Sequence, residues 1–208
     1  MHRLFIGGLV LLTVSANLSA AEPTTTIADF ENGRPSKWTV NFGGWEAENG
    51  YLVARQLEKD NHAAAARWQI PLADGTVALK LKFEGATGFH IGFDPASGTL
   101  DKKGHLYSLI ITPSTAQLRK HRDKAKDDSK DVVLATAGFP KTTGQWINVE
   151  LTTVGDKVTA TIDNGSGATA RLEATDPTFH VAKPAIVFRT IGDHVLIDDV
   201  KVTVAKPR

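Results

Sequence analysis

The chain has 208 residues, with 24 basic and 23 acidic side chains and a net charge of +1. That balance argues against nucleic acid as a partner, which usually demands a basic surplus. There is no cysteine, so an exported form must be held by its core, with or without a metal ion, and not by disulfides.

The first segment reads as a secretory signal peptide. A basic start (His2, Arg3) precedes an apolar run from Leu4 to Val14, and Ser19 and Ala21 fill the small-residue positions before a cut after Ala21. The run is shorter than the roughly 20 residues a membrane helix needs. The expected product is residues 22–208, one domain with its core over about 28–204, secreted or periplasmic, with no integral membrane segment.

Beyond the leader, β signals dominate. Asp29-Phe30-Glu31 and Trp38 open the chain. Glu58 to Arg67 is the nearest approach to a helical repeat, and it is mostly Ala. Thr76 to Phe83, Phe89 to Phe93 and Trp146 to Leu151 read as strands between Gly, Asn, Asp and Pro clusters. Val154 to Asn164 reads as a hairpin strand, with Gly155-Asp156 and Asn164-Gly165 as turn chemistry. The stretch from His121 to Asp131 is almost wholly charged and reads as a solvated hairpin loop, or else as a flap over a binding face. Val195 to Val202 is a late apolar strand. The predicted fold class is all-β with little helix, a two-sheet antiparallel β-sandwich or jelly roll.

Alternation along strands predicts which side chains share a face. Phe89, Ile91 and Phe93 face inward, so His90, Gly92 and Asp94 face out. Leu118 faces inward with Gln117, Arg119 and His121 outward. Ile186 and Phe188 oppose Arg189, and Trp68 opposes Arg67. Trp68 and Trp146 are expected in the core, while Trp45, Tyr51 and Tyr107 stay open. If the strands share one sheet, His90, Asp94, Arg119, His121, Arg189 and Arg67 line one groove.

From about Ala28 to Val204 the order of landmarks resembles the 3-keto-disaccharide hydrolase-type domain, a branch of the concanavalin-like or laminin-G-like jelly rolls. The landmarks are Trp38, the segments Gly43 to Leu52, Leu79 to Asp94 and His105 to Thr112, then Gly144 to Leu151, Ile162 to Gly165 and Val187 to Val202. The chain departs from that family's pattern at Ser108 after Tyr107 and at Ala86-Thr87-Gly88 with Asp94, where members often carry Asn-Ser-Gly and then Arg. The resemblance implies a carbohydrate partner on the concave sheet. The residues gathered by parity are the candidates, His90, Asp94 and Arg119 for catalysis and Tyr107, His121, Arg189 and Arg67 for substrate binding. By analogy with that family, His90 or His121 would be the base and Arg119 or Arg189 would polarise a keto or carboxylate group. A non-catalytic carbohydrate-binding module and a laminin-G-like adhesion module are the alternatives. No Gly-x-Ser-x-Gly elbow is present, and no confident second carboxylate accompanies Asp94, as a usual glycosidase would require. Similar jelly rolls hold a structural Ca²⁺ between their first and last strands; the matching positions here are Glu31 or Asp29 and the pair Asp198 and Asp199, with Asp198 expected inward.

Overall fold

The computed structural model describes residues 22–33, 35–165, 167 and 169–205, so the predicted signal peptide lies outside the described residues. Thirteen strands and one 3-10 turn (Glu58–Asp60) follow one another: β1 (Thr24–Ala28), β2 (Trp38–Phe42), β3 (Gly44–Glu48), β4 (Tyr51–Arg55), β5 (Ala64–Trp68), β6 (Gly75–Phe93) and β7 (Tyr107–Ile111). The remainder are β8 (Thr115–Lys120), β9 (Val132–Gly138), β10 (Trp146–Val154), β11 (Lys157–Asp163), β12 (Thr169–Thr175) and β13 (Ile186–Val204). Among the described residues no helix is long and apolar enough to cross a membrane.

The two 19-residue strands β6 and β13 organise everything else. They pair antiparallel from Ile186 opposite Phe93 to Val204 opposite Gly75, with register shifts around Gly192 and His194. At those shifts each strand leaves one layer and enters the other. Gly85 and Gly192, both at positive φ, make the bend, and a Cβ on Gly192 would sit 3.2 Å from the Thr87 nitrogen. The front layer runs β2, β5, the first part of β13, the last part of β6, β7, β8 and β9. In the back layer β1 and β4 flank the last part of β13, followed by β6, β10, β11 and β12, with β3 outside β4.

The core lies between the layers because strand alternation puts one apolar set inward from each. Ile147, Val149 and Leu151 of β10, Val158, Ala160 and Ile162 of β11, and Phe89, Ile91 and Phe93 of β6 are all buried. Trp38 stacks on Phe188 at 5.3 Å and tilts against Trp45 and Trp68. The buried Trp45 and Trp68 indoles donate to the Phe42 and Ser36 carbonyls, which removes the cost of burying their N–H groups.

Trp146 corrects the sequence expectation. It is 37% exposed and shares the outer face of β10 with Asn148 and Glu150, its ring edge against Tyr51. One end of the sandwich is closed by the segment between β12 and β13. Phe179 packs on Tyr107 at 4.3 Å, and the fully buried Lys183 donates to the carbonyls of Ala73, Phe179 and Val181.

Candidate functional site

Strand register places the front layer's outward side chains in two adjoining rows. One row runs Ala65, Arg189, His90, Ile110 and Gln117. The other runs Thr39, Arg67, Val187, Gly92, Ser108 and Arg119. Asp94, where β6 ends, continues the parity of His90 and Gly92. Between these rows and the loop before β7 lies a cleft of about 490 Å³. Asn41, Phe42, Arg67, Asp94, His105 and Arg189 line it, with His62, Lys102 and Lys124 at its sides. Gly92 keeps the neighbouring face low, since a Cβ there would fall 2.6 Å from the Ser108 hydroxyl.

Asp94 is the lining's one carboxylate, and it is fully engaged. His105 Nδ1–H donates to Asp94 Oδ1 at 2.5 Å, and Arg67 Nη2 donates to Oδ2 at 3.2 Å while its Nη1 reaches Asn41 Oδ1. Burial pushes the Asp94 carboxyl up, but the bonds and charges of His105 and Arg67 outweigh it and hold the group below its ordinary value. A carboxylate fixed on Nδ1 leaves His105 Nε2 free to accept a proton.

His90 and Arg189 are neighbours with open valences. His90 is 8% exposed, and its Nδ1 finds no partner; Arg189 Nε finds none either. Burial first, then the charges of Arg189, His121, Arg119 and His105, pushes His90 down to about 3, so it is neutral at pH 7. Buried polar atoms without partners are rare and need a reason.

Ser108, His121 and Asp131 form a relay next to this row. Ser108 Oγ donates to His121 Nε2 at 2.8 Å, and His121 Nδ1 faces Asp131 Oδ2 at 3.5 Å. The order is that of a nucleophile relay. The setting is not: Ser108 is 5% exposed, and burial pushes His121 down to about 4, too weak a base at neutral pH. The relay instead fixes the rim. Asp131 also accepts from the Arg122 N–H, Asp123 accepts from the Lys103 and Ala125 N–H groups, and Lys102 holds the His121 and Arg122 carbonyls. The charged stretch from His121 to Asp131 is therefore a tied connection between β8 and β9, with Asp123 buried inside it.

No family model matches the chain, and no curated protein matches it. Solved structures do. The chain is similar to the carbohydrate-binding module CBM66 from Bacillus subtilis, with a TM-score of 0.61 and 15% identity over 79% of this chain and 94% of that one. SCLam, a non-specific endo-β-1,3(4)-glucanase of family GH16, gives 0.60 and 12% over 92% and 98%. Lectin II from Ulex europaeus gives 0.59 and 9% over 88% and 99%. The fold is a concanavalin-like jelly roll.

In this jelly roll Arg67, His90, Asp94, Arg119 and Arg189 share the front face, and Arg67, Asp94 and Arg189 line the cleft itself. Arg119 and His121 lie farther along the sheet. Arg119 is occupied by Gln117 and lies 3.8 Å from Asp131.

Tyr107 is a correction. It is 1% exposed and packs on Phe93 and Phe179 in the core, because it stands opposite the inward Phe93. Strand β7 is apolar on both faces apart from Ser108, so alternation carried no signal there. Sequence reasoning missed Asn41, Phe42, His62, Lys102 and His105. His105 was visible in the landmark segment that it opens, whereas Phe42 was hidden by a register shift in β2 that sets it opposite Ala65.

The expected calcium ligands are only partly together. A bulge at Asp199, with φ of 49°, flips strand parity, so Ile197 and Val200 are both buried and Asp198 does not enter the core as expected. Asp199 is turned to Lys80 Nζ at 2.6 Å. Asp29 Oδ1 accepts the Glu31 N–H, and Asp198 Oδ1 the Asp199 N–H. Burial first, with the charges of Asp199 and Asp29, pushes the Asp198 carboxyl up. The Asp29 charge reaches Asp198 across the paired first and last strands. Among the described residues no three His, Cys, Asp or Glu side chains gather as a metal site, so backbone carbonyls would have to supply most of a calcium shell.

Proposed function

We propose that the protein is exported and binds a carbohydrate in the front-layer cleft. The observation that carries this reading is an exposed aromatic platform beside a polar floor. Phe42, 41% exposed, stacks with the exposed His62 ring at 4.2 Å at the side of the cleft. Asn41, Arg67 and Arg189 supply planar hydrogen-bonding groups next to it. A sugar ring has an apolar face for such a platform and hydroxyls for such donors and acceptors. The same kind of partner is named for several solved structures of this fold. An adhesion module would suit a face of apolar side chains, and this face is polar.

Glycan-array screening followed by calorimetry tests the reading. Phe42→Ala is expected to weaken binding by about tenfold or more, the loss of one stacking contact of roughly 1.4 kcal/mol, with the melting point little changed. Folded protein that binds nothing across the array would end it.

A second reading is favoured by the pairing of His105 with Asp94. In a 3-keto glycoside the carbonyl acidifies the C2–H. His105 Nε2 would take that proton, the enolate would expel the glycosidic oxygen from C1, and water would then add at C1 of the enone. Arg189 and His90 would steady the keto oxygen through their open N–H valences. His105→Ala should abolish turnover of a 3-keto disaccharide while leaving binding measurable; wild-type protein with binding and no turnover assigns the domain to the binding-module class.

A calcium ion at Asp29 and Asp198, joining the first and last strands, belongs to the same proposal. Melting with calcium is expected several degrees above melting with excess chelator, as a bound ion well above its Kd adds about 2–4 kcal/mol. Coincident curves would remove the ion.

A further inference from the structure

The cleft carries a charge imbalance that the whole chain does not. Four of its lining side chains are cationic, Arg67, Lys102, Lys124 and Arg189, against the single carboxylate of Asp94, while the net charge of the chain is +1. Asp94 is already spent on Arg67 and His105. Among the described residues no carboxylate lies within ion-pairing distance of Lys102, Lys124 or Arg189. Lys102 is held by two backbone carbonyls, and Asp123 and Asp131 offset its charge only from beyond ion-pairing distance.

Within that field, Arg189 Nε has no partner, and neither does Nδ1 of the nearly buried His90 directly opposite it in register. Arg189 lines the cleft, and a guanidinium is a fork for a planar anion, because two of its N–H groups can reach both oxygens of a carboxylate at once. A neutral His90 can add one N–H donor without repelling its neighbours. Phe42, stacked on His62, follows Arg189 along the same row with Ala65 between them, where the ring that carries the anion would stack.

We propose that the cleft selects a carboxylated sugar, a uronic acid unit, with its carboxylate on Arg189 and its ring toward Phe42. This rests on the carbohydrate reading above and narrows it to a substrate class. Neutral sugars would leave the surplus charge uncompensated and the Arg189 fork half-used, so charge makes the selection.

Matched pairs test it: galacturonate against galactose, glucuronate against glucose, and 1,4-linked tetragalacturonate against 1,4-linked galactotetraose. Binding is read by calorimetry and ligand-observed NMR at low and raised sodium chloride. Each acid is expected to bind at least about tenfold tighter than its neutral partner, with the gap narrowing as salt screens the cleft. Arg189→Gln should close most of the gap; Lys80→Gln, on the back layer, should leave it intact. If Arg189→Gln proves unstable, the wild-type salt dependence and the acid-to-neutral ratio decide alone. Equal or tighter binding of the neutral sugars would overturn the charge selectivity and keep the carbohydrate reading. A preference for sulfated galactose over galacturonate would retain an anion site and overturn the carboxylate assignment. Folded protein that binds none of the six but binds another glycan on the array would overturn the uronic acid assignment alone, and protein that binds nothing on the array would sink both readings.

Discussion

Lys183→Met is expected to cost about 3–5 kcal/mol of folding stability, a large share of the roughly 5–15 kcal/mol a domain has. Lys183 is fully buried, and its three ammonium hydrogens go to Ala73 O at 2.7 Å, Phe179 O at 2.9 Å and Val181 O at 3.0 Å. Burial pushes the group down to about 8, with Asp74 pulling it back, so it is still an ammonium at pH 7. Methionine keeps the stem's volume and leaves three carbonyls unpaired, each worth about 1–3 kcal/mol when stranded in a dry interior. Two of these carbonyls belong to the segment that places Phe179 under Tyr107, and the third, Ala73, ties that segment to the start of β6, so loosening reaches the core. Urea denaturation at neutral pH measures it. A loss under about 1 kcal/mol would mean that water takes over the three acceptors and that Lys183 is not the lock.

Acid should unfold the protein well before its carboxylates titrate. Folded His90 and His121 accept protons only near 3 and 4, because burial and the surrounding cations oppose the charge. In the unfolded chain both titrate near 6.5. Between these values the unfolded chain holds more protons, so stability falls as pH falls. Full stability is present above about pH 6.5, and the two imidazoles together account for a loss of about 3–6 kcal/mol by pH 4. Below that, Asp94, Asp131 and Asp176, all held below the ordinary carboxylate value, add to the decline as they protonate. Denaturation midpoints at pH 7, 5.5 and 4 test this, and His90→Gln, which cannot titrate, should flatten the profile by about half. A variant profile parallel to the wild type would show that His90 does not sense the pH.

The cleft and the lock differ in how far they could be read from the chain. Alternation is local and covalent: each residue reverses the side-chain direction of the one before it, whatever the strand pairs with. For that reason the outward faces of His90 with Asp94 and of Arg189 with Arg67 were legible, as was the two-layer β architecture. Where both faces of a strand are apolar the signal disappears, and Tyr107 went to the core unseen.

Bulges erase it as well. One extra residue flips every later side chain, which turned Phe42 outward and kept Asp198 from the core. Loop residues carry no parity at all. His105 meets Asp94 only because the connection between β6 and β7 folds back on itself, and Lys183 adds to two carbonyls of its own loop a third, that of Ala73, which only packing brings near. Composition and alternation determined the class of fold and which residues share a face. Long-range register, set by burial of the common core, decided which faces meet and which polar atoms are left without a partner.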